Sequence, residues 1–172
     1  AGRTRGSPHI LAAFPARGAE GRLAAFGMGE AGLVSRVLTP YLGASLSFGA
    51  ALEGGATAPG QILASDLLDV FAVGRPRRVD ALFGLLGGRV AHSFSPAIHN
   101  GRFEELDLPF LYVPVALASL EREIAPLREA LDALGLPLRG ASVTVPFKEE
   151  AAALAGAAGE ARNTLLFAPD GT

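Results

Sequence analysis

The residue types best suited to bind a small acid lie beside a predicted helix start in the second half of the chain. Ser93 and Ser95 are one residue apart, and Pro96 follows at a position where proline commonly opens a helix. The free N–H groups and positive dipole end of such a start favour a carboxylate, and the two hydroxyls add further donors. In the competing interpretation Ser95 is only the N-cap of this helix.

A second set of chemically capable residues surrounds Lys148, the single lysine among fifteen basic side chains. Its amine can exchange a proton, which a guanidinium cannot do. Thr144 ends a short apolar run that meets Pro146, and Asn163 opens a later apolar segment with an amide that both donates and accepts. The competing interpretations are a lysine left by composition on a solvated helix end and, at Thr144, an ordinary β-branched strand residue.

Alternating strands and helices must position these segments. In the first part we expect a helix at His9 to Phe14, a strand at Arg22 to Met28, a helix at Ala31 to Leu42, a strand at Ala44 to Ala50 and a helix at Ile62 to Val73. In the second part we expect strands at Ala81 to Leu86, Phe110 to Val115, Ala141 to Val145 and Thr164 to Ala168. We expect helices that open at Pro96 and at Phe147. A further helix should follow an N-cap at Ser119 and be kinked or broken at Pro126. Such alternation is typical of parallel sheets and barrels, which bind ligands at the carboxyl ends of their strands.

The composition restricts the classes of partner. A net charge of -2 predicts no electrostatic footprint for nucleic acid or an anionic membrane. The absence of cysteine excludes disulfides and thiolate metal sites, and it fits a reducing cytoplasm. Residues 37–65 carry only one charge, Glu53, but are too rich in glycine, serine and proline for a membrane span. We therefore expect a cytoplasmic protein that binds small molecules and has no metal site.

A charged stretch with a glycine and a proline, Gly74 to Arg78, indicates a domain boundary. We expect one domain at residues 1–73, a linker at 74–80 and a second domain at 81–172. The turn signal at Pro169 to Gly171 has no second strand behind it, and two strand-helix units cannot close a barrel. We therefore expect these 172 residues to be a piece of a longer polypeptide.

Over residues 82 to 172 the chain resembles the substrate-binding domain of the shikimate dehydrogenase family. The resemblance is carried by three motifs: Ser-x-Ser-Pro with His99-Asn100 after it, Val-Thr-x-Pro-x-Lys at residues 143–148, and Asn163-Thr164. It implies a three-layer α/β domain with a mostly parallel sheet, and NADP-dependent interconversion of 3-dehydroshikimate and shikimate. The family has asparagine where this chain has Ser142. No Gly-x-Gly-x-x-Gly is present, so the NADP-binding domain would lie beyond Thr172.

The same resemblance implies roles for the residues named above. Ser93 and Ser95 would hold the substrate carboxylate, while Thr144 and Asn163 would bind its ring hydroxyls. Lys148 would be the catalytic residue, because an alcohol oxidation must shed a proton as hydride departs and a positioned amine can manage that transfer.

The first part resembles the last two strand-helix units of type I 3-dehydroquinate dehydratase, a (β/α)₈ barrel, over about residues 8 to 73. The resemblance rests on Met28 to Arg36 and on Ala58 to Gln61. It implies that Arg36 binds a substrate carboxylate, with Gln61 and the Thr57 hydroxyl above the ring; in the competing interpretation Arg36 is a solvated helix residue. That enzyme forms a Schiff base on a lysine, and the first part contains no lysine.

The two resemblances support each other, because the reactions are consecutive in aromatic amino-acid biosynthesis and fused versions occur. We expect a fragment of a bifunctional dehydratase and dehydrogenase that is inactive alone. Two alternatives remain open from the sequence: a non-catalytic binding or regulatory module for shikimate-type or quinate-type acids, and a dehydrogenase that prefers quinate. The sequence does not determine the oligomeric state.

Overall fold

A computed structural model describes residue 11 and residues 23–157 and 159–168 of the chain. Of the helix predicted at His9 to Phe14 it describes only Leu11, which is helical and fully buried. Arg22 and the predicted turn at Pro169 to Gly171 lie outside the described residues. Within the described ranges, no helix is long and apolar enough to cross a membrane.

The centre of the second part is a sheet with the spatial order β2-β1-β3-β4. Its strands are β1 (Ala81–Gly87), β2 (Phe110–Ala116), β3 (Leu138–Val143) and β4 (Thr164–Leu166). β1 pairs in parallel with β2 and β3, and β4 pairs antiparallel with β3. The predicted mixed α/β class with a mostly parallel sheet is therefore confirmed. Near-continuous apolar runs form β1 and β2 because helices and loops bury both of their faces.

Five α-helices lie within the described residues: α1 (Leu33–Tyr41), α2 (Ala64–Asp69), α3 (Ser95–Glu105), α4 (Leu120–Ala133) and α5 (Lys148–Leu154). A short 3₁₀ turn at Glu30–Gly32 leads into α1. Ser119 caps α4 as predicted, accepting a hydrogen bond from the Arg122 amide. α4 continues through Pro126, so the predicted break does not occur. Pro126 is exposed, where water can satisfy the carbonyl that proline leaves without a donor.

Two strands predicted in the first part are wrong. Residues 23–28 and 44–49 form no ladder; Ser45 donates one backbone bond to Leu23, and Ala50 makes an isolated bridge with Leu63. A strand needs a regular series of backbone pairs with a neighbour, and among the described residues these segments make only isolated backbone contacts.

The helix predicted at Ile62 to Val73 is shorter than expected. It is confined to α2, and Ala72 follows it with a φ of 51°. A left-handed residue cannot continue a right-handed helix, so the apolar pattern at its end belongs to a turn.

The main apolar core receives side chains from both sides of the expected domain boundary. On β2, Leu111, Val113 and Val115 join this core, whereas Tyr112 joins a second cluster with Leu85. This alternation follows from the two-residue period of a strand. Val34, Val37 and Leu38 of α1 lie in the main core as well, and α1 packs on β2 at the edge of the sheet.

Arginines in the stretch 74–80, the expected domain boundary, contact residues on both sides of it. Arg75 lies 3.5 Å from Asp69 at the end of α2 and 3.5 Å from Glu104 on α3. Arg77 donates a 2.7 Å hydrogen bond to the carbonyl of Phe110 at the start of β2. Side-chain contacts therefore cross this stretch of chain.

Candidate functional site

A cavity of about 550 Å³ opens where β1 and β3 end, beside the first turn of α3. It brings together three of the residues that the sequence singled out, together with side chains from the first part and from the loop after β1. The lining residues are Glu30, Leu85, Arg89, His92, Ser93, Ser95 and Thr144.

Ser93 and Ser95 form a connected pair of hydroxyls. The Ser93 hydroxyl donates to the Ser95 oxygen at 3.1 Å and accepts from the Ser95 amide at 3.2 Å. The predicted N-cap is displaced by one residue: Phe94 is the N-cap, and Ser95 is the first residue of α3. Phe94 already has helical dihedrals, φ −76° and ψ −9°, so the helix begins one residue nearer the N-terminus than predicted. The Ser95 hydroxyl is therefore not engaged as a cap.

Thr144 reaches the cavity because β1 and β3 approach closely at their ends. Its amide donates a 2.9 Å bond to Leu86 on β1. A Cβ placed on Gly87 would lie 2.5 Å from Cγ2 of Thr144 and 2.9 Å from Cγ1 of Val90. Only glycine fits at residue 87 without displacing one of these neighbours.

Asn100 attaches α3 to the sheet. Its side-chain amide donates to the carbonyl of Tyr112 at 2.9 Å, and its side-chain oxygen accepts from the Tyr112 amide at 2.7 Å. The residue is 2% exposed. Because β2 lies at the edge of the sheet, these two bonds replace those of a missing neighbouring strand and hold the helix beside the cavity.

The hydroxyl of Tyr112 is a buried polar group that the sequence analysis missed. Tyr112 is 3% exposed, and its hydroxyl has no hydrogen bond of normal geometry within the described residues. Burial raises the pKa of Tyr112, and the neighbouring hydroxyls of Ser142 and Ser95 oppose part of that rise. His99 stacks on the ring at 4.3 Å between centroids. The signal available in the sequence was the one residue of this apolar strand that carries a side-chain hydroxyl.

Lys148 and Asn163 are exposed and do not line this cavity. Backbone hydrogen bonds nevertheless hold both at the end of β3, from Arg162 to the Lys148 carbonyl at 2.9 Å and from Val143 to the Asn163 carbonyl at 2.7 Å. The Asn163 side-chain oxygen accepts from the Thr164 hydroxyl at 3.1 Å. Both side chains are accessible from solvent at the end of the sheet that carries the cavity.

In the first part, the structure buries Arg36 instead of exposing it on the helix. The residue is 1% exposed, and burial lowers the pKa of its guanidinium. Its Nη2 lies 3.5 Å from the sulfur of Met28 and from the carbonyl of Pro59, and the guanidinium lies 4.4 Å from the centroid of the Phe26 ring. Within the described residues, its Nε has no partner and no carboxylate pairs with it.

Thr57 and Gln61 meet in one exposed loop. The amide and hydroxyl of Thr57 both donate to the side-chain oxygen of Gln61, at 2.8 and 3.2 Å. Pro59 in the same loop accepts from Arg36 and from the amide of Gly29. Thr57 and Gln61 therefore lie in the loop whose backbone contacts Arg36.

No group of three or more histidine, aspartate or glutamate side chains within the described ranges could hold a metal ion.

Comparison with known families gives two matches on the two sides of the stretch 74–80. Residues 85–164 match the family described as shikimate dehydrogenase substrate binding domain. Residues 11–75 match the family described as type I 3-dehydroquinase. Both resemblances inferred from the sequence are thereby confirmed.

Curated relatives show the same combination. The chain is 34% identical over 124 residues to the bifunctional 3-dehydroquinate dehydratase/shikimate dehydrogenase, chloroplastic, of Arabidopsis thaliana, covering 72% of this chain and 20% of the relative. It is 31% identical over 123 residues to the shikimate biosynthesis protein AroDE of Chlamydia pneumoniae, covering 70% and 24%. A shikimate dehydrogenase (NADP(+)) of Dehalococcoides mccartyi is 42% identical over 72 residues, covering 41% and 23%. The chain thus spans about a quarter or less of the length of each of these relatives.

Proposed function

Because the chain joins a segment of the type I 3-dehydroquinase family to a segment of the shikimate dehydrogenase substrate-binding domain family, we propose that it serves two steps of the shikimate pathway. The second part binds shikimate and 3-dehydroshikimate for reversible oxidation and reduction. The first part completes the barrel that dehydrates 3-dehydroquinate. The observation that carries the proposal is the cavity at the strand ends, where Ser93, Ser95 and Thr144 converge.

The carboxylate of the substrate binds at the start of α3. Ser93 and Ser95 offer two hydroxyl donors there, and the first turn of an eleven-residue helix adds free N–H groups and its positive dipole end. The carboxylate replaces the bond between the two serine hydroxyls, so each hydroxyl exchanges one partner for a charged acceptor.

The ring hydroxyls lie towards the end of β3, where Thr144 and Asn163 bind them. Lys148 is the catalytic residue. It is exposed at the first position of α5, so its amine can approach the reacting oxygen without a competing ion pair among the described residues. Oxidation of an alcohol releases a proton from that oxygen, and the Lys148 amine accepts or relays it; in the reverse direction it returns the proton to the alkoxide.

NADP is the hydride carrier that we propose, as the names of the dehydrogenase relatives indicate for those proteins. The glycines at the end of β1, the described candidates for such a site, do not fit a dinucleotide. Gly87 ends β1 and Gly88 follows it, but Gly87 is packed against Thr144 and Val90, and the amide of Gly88 donates to the carbonyl of Val145. Neither glycine opens a helix onto a phosphate. The cofactor would therefore bind residues other than those described here.

In the first part, Arg36 binds the carboxylate of 3-dehydroquinate, and Thr57 and Gln61 lie over its ring. Among the described residues the Nε of Arg36 has no partner and no carboxylate compensates the buried charge, and a bound carboxylate would satisfy both. The dehydration itself requires a lysine amine, and the single lysine of this chain is Lys148 in the second part. The Schiff-base lysine would therefore belong to another segment of the native polypeptide.

The domain limits that we propose are 1–73 for the end of the barrel, 74–80 for the linker and 81–172 for the substrate-binding domain. The family matches at residues 11–75 and 85–164 support them. We further propose a cytoplasmic location, in keeping with the absence of cysteine.

The proposal is tested with the native polypeptide that contains this chain. We expect it to reduce NADP with shikimate and to dehydrate 3-dehydroquinate, measured by absorbance of the reduced cofactor and of the enone product. Absence of oxidation with every acid tried would overturn the dehydrogenase role; tight binding of shikimate without turnover would identify a binding module instead. A higher kcat/KM for quinate than for shikimate would change the substrate that we assign.

A further inference from the structure

We propose that Arg89 is the charged residue that binds the substrate carboxylate, together with the hydroxyls of Ser93 and Ser95. This inference rests on the proposed function and deepens it, because Arg89 belongs to none of the three motifs that indicated the site. Arg89 lines the same cavity as both serines and Thr144.

The backbone on both sides of Arg89 is held in place. The amide of Gly88 donates to the carbonyl of Val145 at 3.1 Å, which attaches this loop to the segment after β3. Val90 is 2% exposed, and its carbonyl accepts from the amide of Ser93 at 3.2 Å. The backbone of Arg89 is therefore held between two residues that are fixed by hydrogen bonding or burial. The same loop positions Ser93.

The side chain of Arg89 is exposed and makes no ion pair or hydrogen bond with any other described residue. Other arginines near the boundary are engaged: Arg75 with Asp69 and Glu104, and Arg77 with a backbone carbonyl. Arg89 thus presents its guanidinium to the cavity without an internal partner.

The cavity needs a cation to attract an acid strongly. The serine and threonine hydroxyls that line it are neutral, and Glu30 brings a carboxylate that repels an anionic ligand. Lys148 does not line the cavity. Among the lining residues Arg89 carries the permanent positive charge, and its planar guanidinium can donate two parallel hydrogen bonds to a carboxylate.

Tyr112 contributes no charge to this site. It shares a buried cluster with Leu85, which lines the cavity, and the Ser95 hydroxyl opposes part of the rise that burial causes in the pKa of Tyr112. Because the hydroxyls of Tyr112 and the serines are neutral, charge recognition of the carboxylate depends on Arg89. This dependence favours substrates that carry a carboxylate over neutral analogues of the same ring.

The test is steady-state kinetics of the native polypeptide with shikimate and with its neutral methyl ester. Replacing Arg89→Gln should raise KM for shikimate about tenfold and leave kcat within about twofold, because a charge-assisted contact made equally in ground and transition states is lost. Arg89→Lys should restore part of the loss. KM for the methyl ester should differ little between the wild type and Arg89→Gln.

Ionic strength supplies a second readout. In the wild type, KM for shikimate should rise with added salt, because salt screens an exposed charge pair. This dependence should be weaker in Arg89→Gln. Arg122→Gln, which removes an exposed arginine from α4 on another part of the surface, is the matched control and should behave as the wild type.

The failures of the two proposals are distinguishable. A wild-type protein that does not turn over shikimate defeats the proposed function. A wild type that is active, with an Arg89→Gln variant of unchanged KM and unchanged salt dependence, overturns the role of Arg89. The same conclusion follows if Arg89→Gln lowers kcat alone, or if it raises KM for the methyl ester as much as for shikimate.

Discussion

The two arginines assigned to carboxylate binding lie in opposite surroundings. Arg36, in the first part, is 1% exposed and stacks on Phe26, with weak 3.5 Å contacts to a thioether and a backbone carbonyl. Arg89, in the second part, is exposed beside an open cavity. Arg36 is desolvated and has no counterion among the described residues, whereas Arg89 retains its hydration until a ligand arrives.

The difference follows from what holds each region in place. In the second part, hydrogen-bonded parallel strands align the ends of β1 and β3, so side chains from distant segments meet around a cavity. In the first part, residues 23–28 and 44–49 form no ladder, and two loops close on each other through the bond from Gly29 to Pro59. The aligned strand ends of the second part leave an open cavity, whereas in the first part the loop at Pro59 packs against Arg36.

We expect the largest effect from a substitution that impairs the reaction of the second part and not that of the first. In the native polypeptide, Lys148→Ala should lower the dehydrogenase rate by about 10²- to 10⁴-fold, the range for loss of a general acid or base. The dehydratase rate should stay at the wild-type level, because Lys148 belongs to the second part. Parallel assays of both reactions check this. An unchanged dehydrogenase rate would return Lys148 to an ordinary solvated residue on a helix end.

Substitution of one glycine in each part of the chain tests how tightly that part is packed. A Cβ on Gly32 would lie 2.2 Å from the backbone of Gly27, whereas one on Gly87 would meet side chains at 2.5 and 2.9 Å. Gly32→Ala should cost about 3 kcal/mol of unfolding free energy and Gly87→Ala about 1 to 2, because backbone yields less than side chains. Urea denaturation of the chain measures both.

Gly101→Ala on α3 is the control for the glycine pair, since nothing lies within 4 Å of its added Cβ. It should stabilise the chain by about 0.5 to 1 kcal/mol through helix propensity. Equal losses at Gly32 and Gly87 would contradict the packing difference between the regions.

The arginine comparison itself can be tested without any ligand. Arg36→Met keeps most of the packed volume and removes a buried charge that has no carboxylate partner among the described residues, so it should raise the unfolding free energy by about 1 kcal/mol. Arg89→Met should change it by less than about 0.5 kcal/mol, as for most exposed positions. A clear loss of stability in Arg36→Met would show that its contacts with Phe26 and Pro59 outweigh the desolvation.

The smallest expected effects concern the two tyrosines, one in each part of the chain. The Tyr41 hydroxyl donates to the carbonyl of Phe71, whereas the Tyr112 hydroxyl lies near Ser142 and Ser95 but makes no hydrogen bond of normal geometry among the described residues. Tyr41→Phe should therefore cost about 1 kcal/mol, and Tyr112→Phe less than about 0.5. Thermal unfolding of both variants measures the difference. A larger loss for Tyr112→Phe would show that its hydroxyl is bonded in solution.

The tyrosines also predict a dependence on pH. Burial raises the pKa of both Tyr41 and Tyr112. A folded-state pKa above the unfolded value of about 10 gives a stabilisation that is complete below that pH and is lost as pH rises through the folded pKa. Each tyrosine-to-phenylalanine variant should therefore lose less stability than the wild type between neutral and strongly alkaline pH. A wild-type curve that rises in that range would contradict the burial of both hydroxyls.

Most of the second part was predictable, because its elements carry local signals. The apolar runs of β1 and β2, the Ser119 cap and the periodic leucines of α4 each identify an element without reference to distant residues. The first part was predicted less well. Its segments 23–28 and 44–49 read as buried strands in the sequence, but they form no ladder among the described residues, and strand pairing is not a local property.

The site divides in the same way. Ser93, Ser95 and Thr144 were identifiable from residue type and spacing beside a helix start and a strand end, and the structure places them in one cavity. Arg89 and Glu30 were not identifiable, because one follows two glycines in a loop and the other comes from the first part of the chain. Tyr112 stands in a strand where burial alone would explain an aromatic ring.

By itself, the sequence determined the alternation of strands and helices, the hydroxyls and single amine available for chemistry, and the two family resemblances. Only the tertiary structure decided which of these groups share a cavity, that Arg36 is buried while Arg89 is exposed, and that the Tyr41 hydroxyl bonds to a backbone carbonyl. Residue type and spacing act through local backbone geometry, which the chain carries with it. Burial, charge pairing and the meeting of strand ends depend on segments far apart in sequence, and they exist only once the sheet has formed.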